Sequence, residues 1–340
     1  LLAQYVCVRV TTNTGMDIAL FDRDWHNALY YFALNADEQI YLRYGGRDET
    51  SAEAYLNYEA LELALRLGLE QHAKAQAGDL PAKPRPKAMY PDEMPLLKDE
   101  VIDAGRCVEC HLVGDYQLLE KERWGVLDKL TDMYAYPDIK RIGIEVDVPK
   151  GLVVKAASGA VADAGMLAGD LIADINGEPV LTFADLQHAY NKVSRKALSI
   201  EIGVKRGDAR QALKISLPKE WWYTDLYFRY WTVEPQAYFT SKPLTAERRK
   251  ALGLPEDGLA AEVVKVDPAA QVYNLHKLEV GDIITAINGV DRDDFTENLD
   301  IYIRLHVDSG DKFTARYLRN GEAHEMSVST YREHFRKIDQ

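Results

Sequence analysis

The spacing of apolar and polar positions changes along the chain, and each change predicts a different element. Near the start, "QYVCVRV" (Gln4–Val10) alternates β-branched with other residues and predicts a strand, with Cys7 as a buried strand thiol. "ALYYFAL", "NADE" and "QIYLRYGG" (Ala28–Gly46) predict a hairpin of strand, polar turn and strand. "SAEAYLNYEALELALRLGLEQHAKA" (Ser51–Ala75) carries apolar residues at helical spacing, with Thr50 or Ser51 as its N-cap. The stretch from Gly78 to Pro95 holds five prolines; each removes a donor and biases its predecessor away from helix, which predicts a linker or an extended wrap. "LLKDEVIDAGRCVECHLV" (Leu96–Val113) predicts a helix, and "DYQLLEKERWGVLDKLTDMYAY" (Asp115–Tyr136) one or two more, ended by Pro137.

From Ile139 the pattern turns to short strands and repeats itself. "GDLIADINGEPV" (Gly169–Val180) recurs as "GDIITAINGVDR" (Gly281–Arg292), and offsets of 110 to 113 residues hold across the pair. Upstream, "RIGIEV" is matched with "ALGL"; downstream, helices are predicted to begin near Phe183 and Phe295. The connector "KEWWYTDLYFRYWTVEPQAYFT" is too aromatic for a solvated linker and is expected to pack against a neighbour. The fold class is multidomain α+β. Its predicted segments are 1–77, 78–138 (linker and small helical segment), 139–218, an aromatic connector 219–247, and 248–340.

Composition narrows the function classes. With 47% apolar and 28% charged residues, the 340-residue chain can bury real cores. A net charge of −13 argues against nucleic acid or an anionic membrane as main partner. No apolar run is long enough for a transmembrane helix. The first residue is Leu, so the chain is expected to be processed or to lack its beginning.

The chemistry concentrates in "RCVECHLVGD" (Arg106–Asp115). Cys-x-x-Cys-His is the spacing that fixes a haem covalently: Cys107 and Cys110 as thioether carriers, His111 as iron ligand. A structural zinc would need further ligands, yet Cys7 is the only other cysteine; a dithiol redox motif would follow a thioredoxin strand, not a proline-rich linker, and chance recurrence of a short motif is the last alternative. For the sixth ligand the order of candidates is Met133, then Met94 and His72, with Met89 and His26 behind them.

Three resemblances follow from these quoted residues. Strand, hairpin and closing helix over about residues 1–76 resemble the C-terminal half of a thioredoxin-like domain. That family's Cys-x-x-Cys and cis-proline are missing ahead of the hairpin, where "WHNAL" stands, which implies a redox-inactive platform. The repeat over residues 139–217 and 248–329 resembles PDZ domains of the bacterial, protease-associated type. That resemblance implies peptide C-termini held on loops Ile142-Gly143-Ile144 and Leu252-Gly253-Leu254, with His188 on the first groove helix. "DSGD" (Asp308–Asp311) falls at a turn and implies no protease. The whole order resembles the Trx/PDZ-domain proteins of planctomycetes and some other bacteria, most specifically in "FDRDWHNALYYFALNADEQIYLRYGGRD". Membership implies export, and in some members a redox Cys or selenocysteine in a preceding part.

The expected function is an extracytoplasmic (periplasmic or cell-surface) carrier of one covalent haem c, acting in electron transfer or haem-based sensing. It would dock a redox partner protein or peptide C-termini through the PDZ pair, as a subunit of a larger assembly or alone. The alternatives are a thiol oxidoreductase or haem peroxidase, and a non-enzymatic PDZ scaffold with structural haem.

Overall fold

The computed structural model describes residues 1–224 and 233–332; the rest of the aromatic connector and of the C-terminal tail lies outside the described residues. The chain divides into two compact units, residues 1–126 with 131–229 and residues 127–130 with 230–340. The first unit gathers the hairpin segment, the Cys-x-x-Cys-His segment and the first repeat. The class is mixed α and β with small antiparallel sheets.

In the first unit the predicted opening strand does not form. Val6, Val8 and Val10 are exposed, and so is Cys7, against the expectation of a buried thiol. A strand is held by a neighbour that takes up its N–H and C=O groups. The adjacent sheet contains β1 (Tyr30–Leu34) and β2 (Ile40–Gly45) alone, paired antiparallel with a bulge before Leu34. Helix α1 (Tyr58–Ala77) starts later than predicted, because Asn57 is its N-cap and accepts from the Glu59 and Ala60 N–H groups. Residues 48–51 instead close an Asx turn, in which Asp48 Oδ1 accepts from Thr50 N and Ser51 N at 2.8 Å. Ala64 on α1 packs with Leu42 and Tyr44 of β2.

The proline-rich stretch runs extended and is tied down where the Ile18 N–H donates to the Met89 carbonyl at 2.8 Å. It enters α2 (Pro95–Leu97) and a π-turn (Lys98–Ile102) that packs against α3 (Cys110–Arg123) around Leu97, Val101, Val113 and Tyr116. The predicted continuous helix over 96–113 is broken between Ile102 and Cys110. A single turn, α4 (Lys129–Asp132), follows.

The first repeat opens with a 3₁₀ turn (Ile139–Ile142). Then come β3 (Ile144–Val146), β4 (Val154–Ala157), α5 (Gly159–Asp163), β5 (Leu171–Ile175), β6 (Glu178–Pro179), α6 (Phe183–Asn191), β7 (Ser199–Arg206) and β8 (Ala209–Ser216). Strand order is β6-β5-β7-β8, with β3-β4 a separate pair.

The second unit contains β9 (Pro235–Gln236), β10 (Phe239–Pro243), α7 (Ala246–Ala251), β11 (Ala261–Val266), α8 (Ala269–Val272), β12 (Ile283–Ile287), α9 (Leu299–His306), β13 (Lys312–Arg319), β14 (Glu322–Ser329) and β15 (Tyr331–Arg332). Its main sheet runs β10-β11-β12-β13-β14, closed over a core that includes Val263, Ile284, Leu299 and Phe313. Helix α9 begins after Asn298, because Phe295 is held in an Asx turn by Asp293.

The sequence repeat is a repeat of hydrogen bonds. Asn176-Gly177 and Asn288-Gly289 both take positive φ, the turn geometry that makes Asn-Gly a hairpin signal. Asp170 receives Arg206 through two parallel bonds of 2.7 and 2.8 Å, and Asp282 receives Arg319 in the same way.

Candidate functional site

Helix α3 begins inside the Cys-x-x-Cys-His motif, with Glu109 at its N-cap and Cys110 as its first residue. Cys107 is exposed, Cys110 half-buried, and the His111 imidazole 52% exposed with Nδ1 at 3.6 Å from the Glu109 carboxylate. The Cys110 sulfur faces inward. The Arg23 guanidinium donates to it at 3.1 Å and the Asn13 amide at 3.6 Å. Asn13 also donates to the Val108 carbonyl at 2.9 Å, which pins the loop between the two cysteines. Arg23 lies over the Trp25 ring at 4.6 Å. Trp25 and His26 press on α3 at Gly114, where an added Cβ would stand 3.2 Å from that of Trp25. Sequence reasoning missed Asn13, Arg23 and Trp25; for the last two the signal lay in "FDRDWHN", singled out as specific but without a role, and for Asn13 there was none.

Of the sixth-ligand candidates, His26 lies against α3 at Gly114, one turn beyond Cys110, while the three ranked first are tied to other places. Asp132, next to Met133, pairs with Lys121, and Leu96, two residues from Met94, donates to Glu120. Both anchors are on the last turns of α3, about 15 Å from Cys110 at 1.5 Å per residue. Both methionines are buried. His72 is hydrogen-bonded to the Tyr41 hydroxyl at 3.1 Å. Among the described residues, no group of three or more His, Cys, Asp or Glu side chains gathers as a metal site, so the zinc reading finds no further ligands there.

The strand registers locate the peptide loops implied by the PDZ resemblance. Val154 and Val263 are equivalent: each donates to the carbonyl of the Gly-Asp aspartate, Asp170 or Asp282, at 2.8 Å. Val146 pairs with Val154 and Ile144 with Ala157; Ser241 pairs with Val263 and Phe239 with Val266. Ile142-Gly143-Ile144 therefore corresponds to Ala237-Tyr238-Phe239. Both central residues have positive φ, and their carbonyls accept from Ser158 N at 2.9 Å and Asp267 N at 2.8 Å. Leu252-Gly253-Leu254 is instead the end of α7. Gly253 N donates to Lys250 O and Leu254 N to Arg249 O, the bonds of a glycine-terminated helix. The mismatch arose because "ALGL" copies the apolar-Gly-apolar spelling of a loop that the second repeat builds from "AYF".

In the second unit, a cleft of about 270 Å³ opens beside β10 and α9, lined among others by Ala237, Phe239, Lys265, Ile303 and Arg304. Asp300 on α9 accepts from the Ser241 N–H at 3.1 Å and its hydroxyl at 2.6 Å, and burial raises its pKa. In the first unit Asp185 on α6 accepts from the Arg43 N–H of β2 at 3.0 Å, and Thr182 donates to the Arg43 carbonyl. Burial, opposed by Arg43, pushes Asp185 up to about 6. His188 is buried, 3.7 Å from Asp22, and desolvation pushes its imidazole down to about 2, so it stays neutral.

No family model matches the chain, and no curated protein matches it. Among solved structures, an HtrA-type protease with decapeptide is similar over 53% of this chain and 55% of its own, at 15% identity and a TM-score of 0.28. The chain thus spans just over half the length of that neighbour.

Proposed function

We propose that this protein is an extracytoplasmic carrier of a single haem c that docks protein partners through PDZ-type repeats. The observation that supports the haem is an exposed Cys107 and His111 beside a half-buried Cys110 around the first turn of α3. Each thiol would add its S–H across one vinyl group of the porphyrin, a step that needs no oxidant. His111 has Nδ1 turned to Glu109, which leaves Nε2 for the iron, the usual division of labour in a ligating imidazole. The group would supply reversible one-electron storage. Arg23, Asn13 and Trp25 hold the Cys110 end of the motif in place. A pyridine haemochrome spectrum of the exported protein tests this: a c-type band is expected in the wild type and is lost in Cys107→Ser/Cys110→Ser. Its absence from the wild type refutes the reading.

A thiol oxidoreductase is the second reading, favoured by one observation: the Cys110 sulfur sits at a helix N-terminus within 3.1 Å of a guanidinium. Haem-free protein whose Cys107–Cys110 pair cycles with a dithiol reductant would favour it.

For docking, the support is the cleft between β10 and α9, where an added peptide strand would meet Phe239 and Ile303. A C-terminal peptide library panned on the full chain should yield binders that Ile303→Glu abolishes. Binders indifferent to that change would sink this half of the proposal.

A further inference from the structure

In the first repeat, the N-terminal half of α6 is covered by the chain's own residues. Beyond Arg43, an added Cβ on Gly46 would stand 2.4 Å from the Phe183 ring, and the Arg47 carbonyl accepts from Gln187 at 3.2 Å. Tyr55 stacks on Phe183 with ring centres 3.3 Å apart. Contacts from residues 43 to 47 thus run from the cap of α6 to its middle. The segment then reaches the 3₁₀ turn that leads into Ile142-Gly143-Ile144. Asp48 pairs with Lys140 at 2.7 Å, and Glu49 with Arg141 at 2.8 Å through Nε and 3.2 Å through a terminal nitrogen. Burial would raise Asp48, but Lys140 and the Thr50 and Ser51 donors hold it below the usual carboxylate range. Phe183, Ala184, Gln187, Ile142 and Ile144 are all buried.

A terminal peptide carboxylate would need free loop amides, yet the Gly143 N–H donates to the Lys140 carbonyl at 3.0 Å. The space left against Tyr44, Tyr55 and Phe183 is about 20 Å³, compared with about 270 Å³ in the second repeat. A cleft of about 270 Å³ also remains beside β3, but Asp48 and Tyr55 line it in place of α6.

We propose that residues 43–49, "RYGGRDE", are a built-in ligand of the first repeat, with the Asp48 and Glu49 side chains standing in for a terminal carboxylate. Partner peptides are then left to the second repeat. The inference rests on the peptide-docking reading for the word ligand, though not for the occupancy of α6. Tethering gives such a segment an effective concentration in the millimolar range, enough to exclude a weak free peptide.

The test uses the full chain. Fluorescein-labelled RYGGRDE with a free C-terminal carboxylate is titrated by anisotropy into wild type and Asp48→Ala/Glu49→Ala, with circular dichroism confirming the fold. The variant should bind at least tenfold more tightly than wild type, and adding Lys140→Ala/Arg141→Ala should abolish the gain. Equal binding to both chains, or none to either, overturns the proposal. Hydrogen exchange on the wild type supplies a check independent of any variant. The Arg43 amide, bonded to Asp185, should be protected as α6 is, and exchange at free-peptide rates overturns the occupancy outright. The docking reading fails by a different result, the Ile303→Glu experiment above.

Discussion

The two repeats share a skeleton and differ in what lies against their groove helices. Both carry the Asn-Gly turn, the Asp–Arg clamp and an aspartate early in the helix that accepts a strand N–H. In the second repeat that N–H comes from β10, a strand of the repeat itself. In the first it comes from β2, a strand that precedes the repeat by about a hundred residues. One redirected hydrogen bond accompanies a different neighbourhood: α6 is sealed by Tyr55, Gly46 and Arg47, while α9 borders an open cleft. Likeness in a repeat's internal bonds therefore says little about what its outer faces touch.

The sharpest way to break this comparison is Tyr55→Ala. Losing a buried ring stacked on Phe183 should destabilise the first unit by about 3 kcal/mol and leave hydrogen-exchange protection in the second unchanged. A loss below about 1 kcal/mol would mean that the seal contributes little. Next comes pH. The unfolded His188 imidazole titrates near its ordinary 6.5, while the folded one holds off until about 2. Stability from neutral His188 is thus present above pH 6.5 and declines as pH falls. Asp185, raised to about 6, acts in the opposite sense, stabilising the acid side and losing that contribution as pH rises through 6. Relative to wild type, His188→Gln should therefore gain about 2 kcal/mol between pH 7 and pH 5 in denaturant melts. Ile303 on α9 has no titratable group and should show no such pH-dependent gain when changed to Gln.

Asp185→Ala and Asp300→Ala should each cost about 1–2 kcal/mol, since each strips a strand N–H of its acceptor. Only the first should also loosen β2, which hydrogen exchange at Arg43 would register. Smallest are Arg206→Lys and Arg319→Lys. Both replace a two-pronged clamp with a point charge, and both should cost about 1 kcal/mol, equally in the two units. Unequal losses would show that the shared skeleton is less alike than its bonds indicate.

The repeat was legible in the sequence because Gly-Asp and Ile-Asn-Gly write backbone geometry directly: a clamp, a turn, a strand. The hairpin and α1 were legible for the same local reason. The second loop was not, since "ALGL" spells the expected loop while the register of β10 on β11 assigns the place to "AYF". Nor was the opening strand, whose alternation is real but whose neighbour is missing from the β1-β2 sheet. The surroundings of Cys107 and Cys110 escaped as well. Asn13 and Arg23 lie about ninety residues away in sequence, and nothing in local spacing joins them to a helix start.

Tyr238 occupies the backbone position that Gly143 fills in the first repeat, at φ +56 where a side chain is strained. Its ring lies about 6 Å from those of Tyr273 and Tyr331, which stack on each other. The mouth of the open cleft is thus cocked by its own backbone and latched by three phenols. Whatever enters that cleft meets a loop already bent to shape, at a conformational cost met during folding.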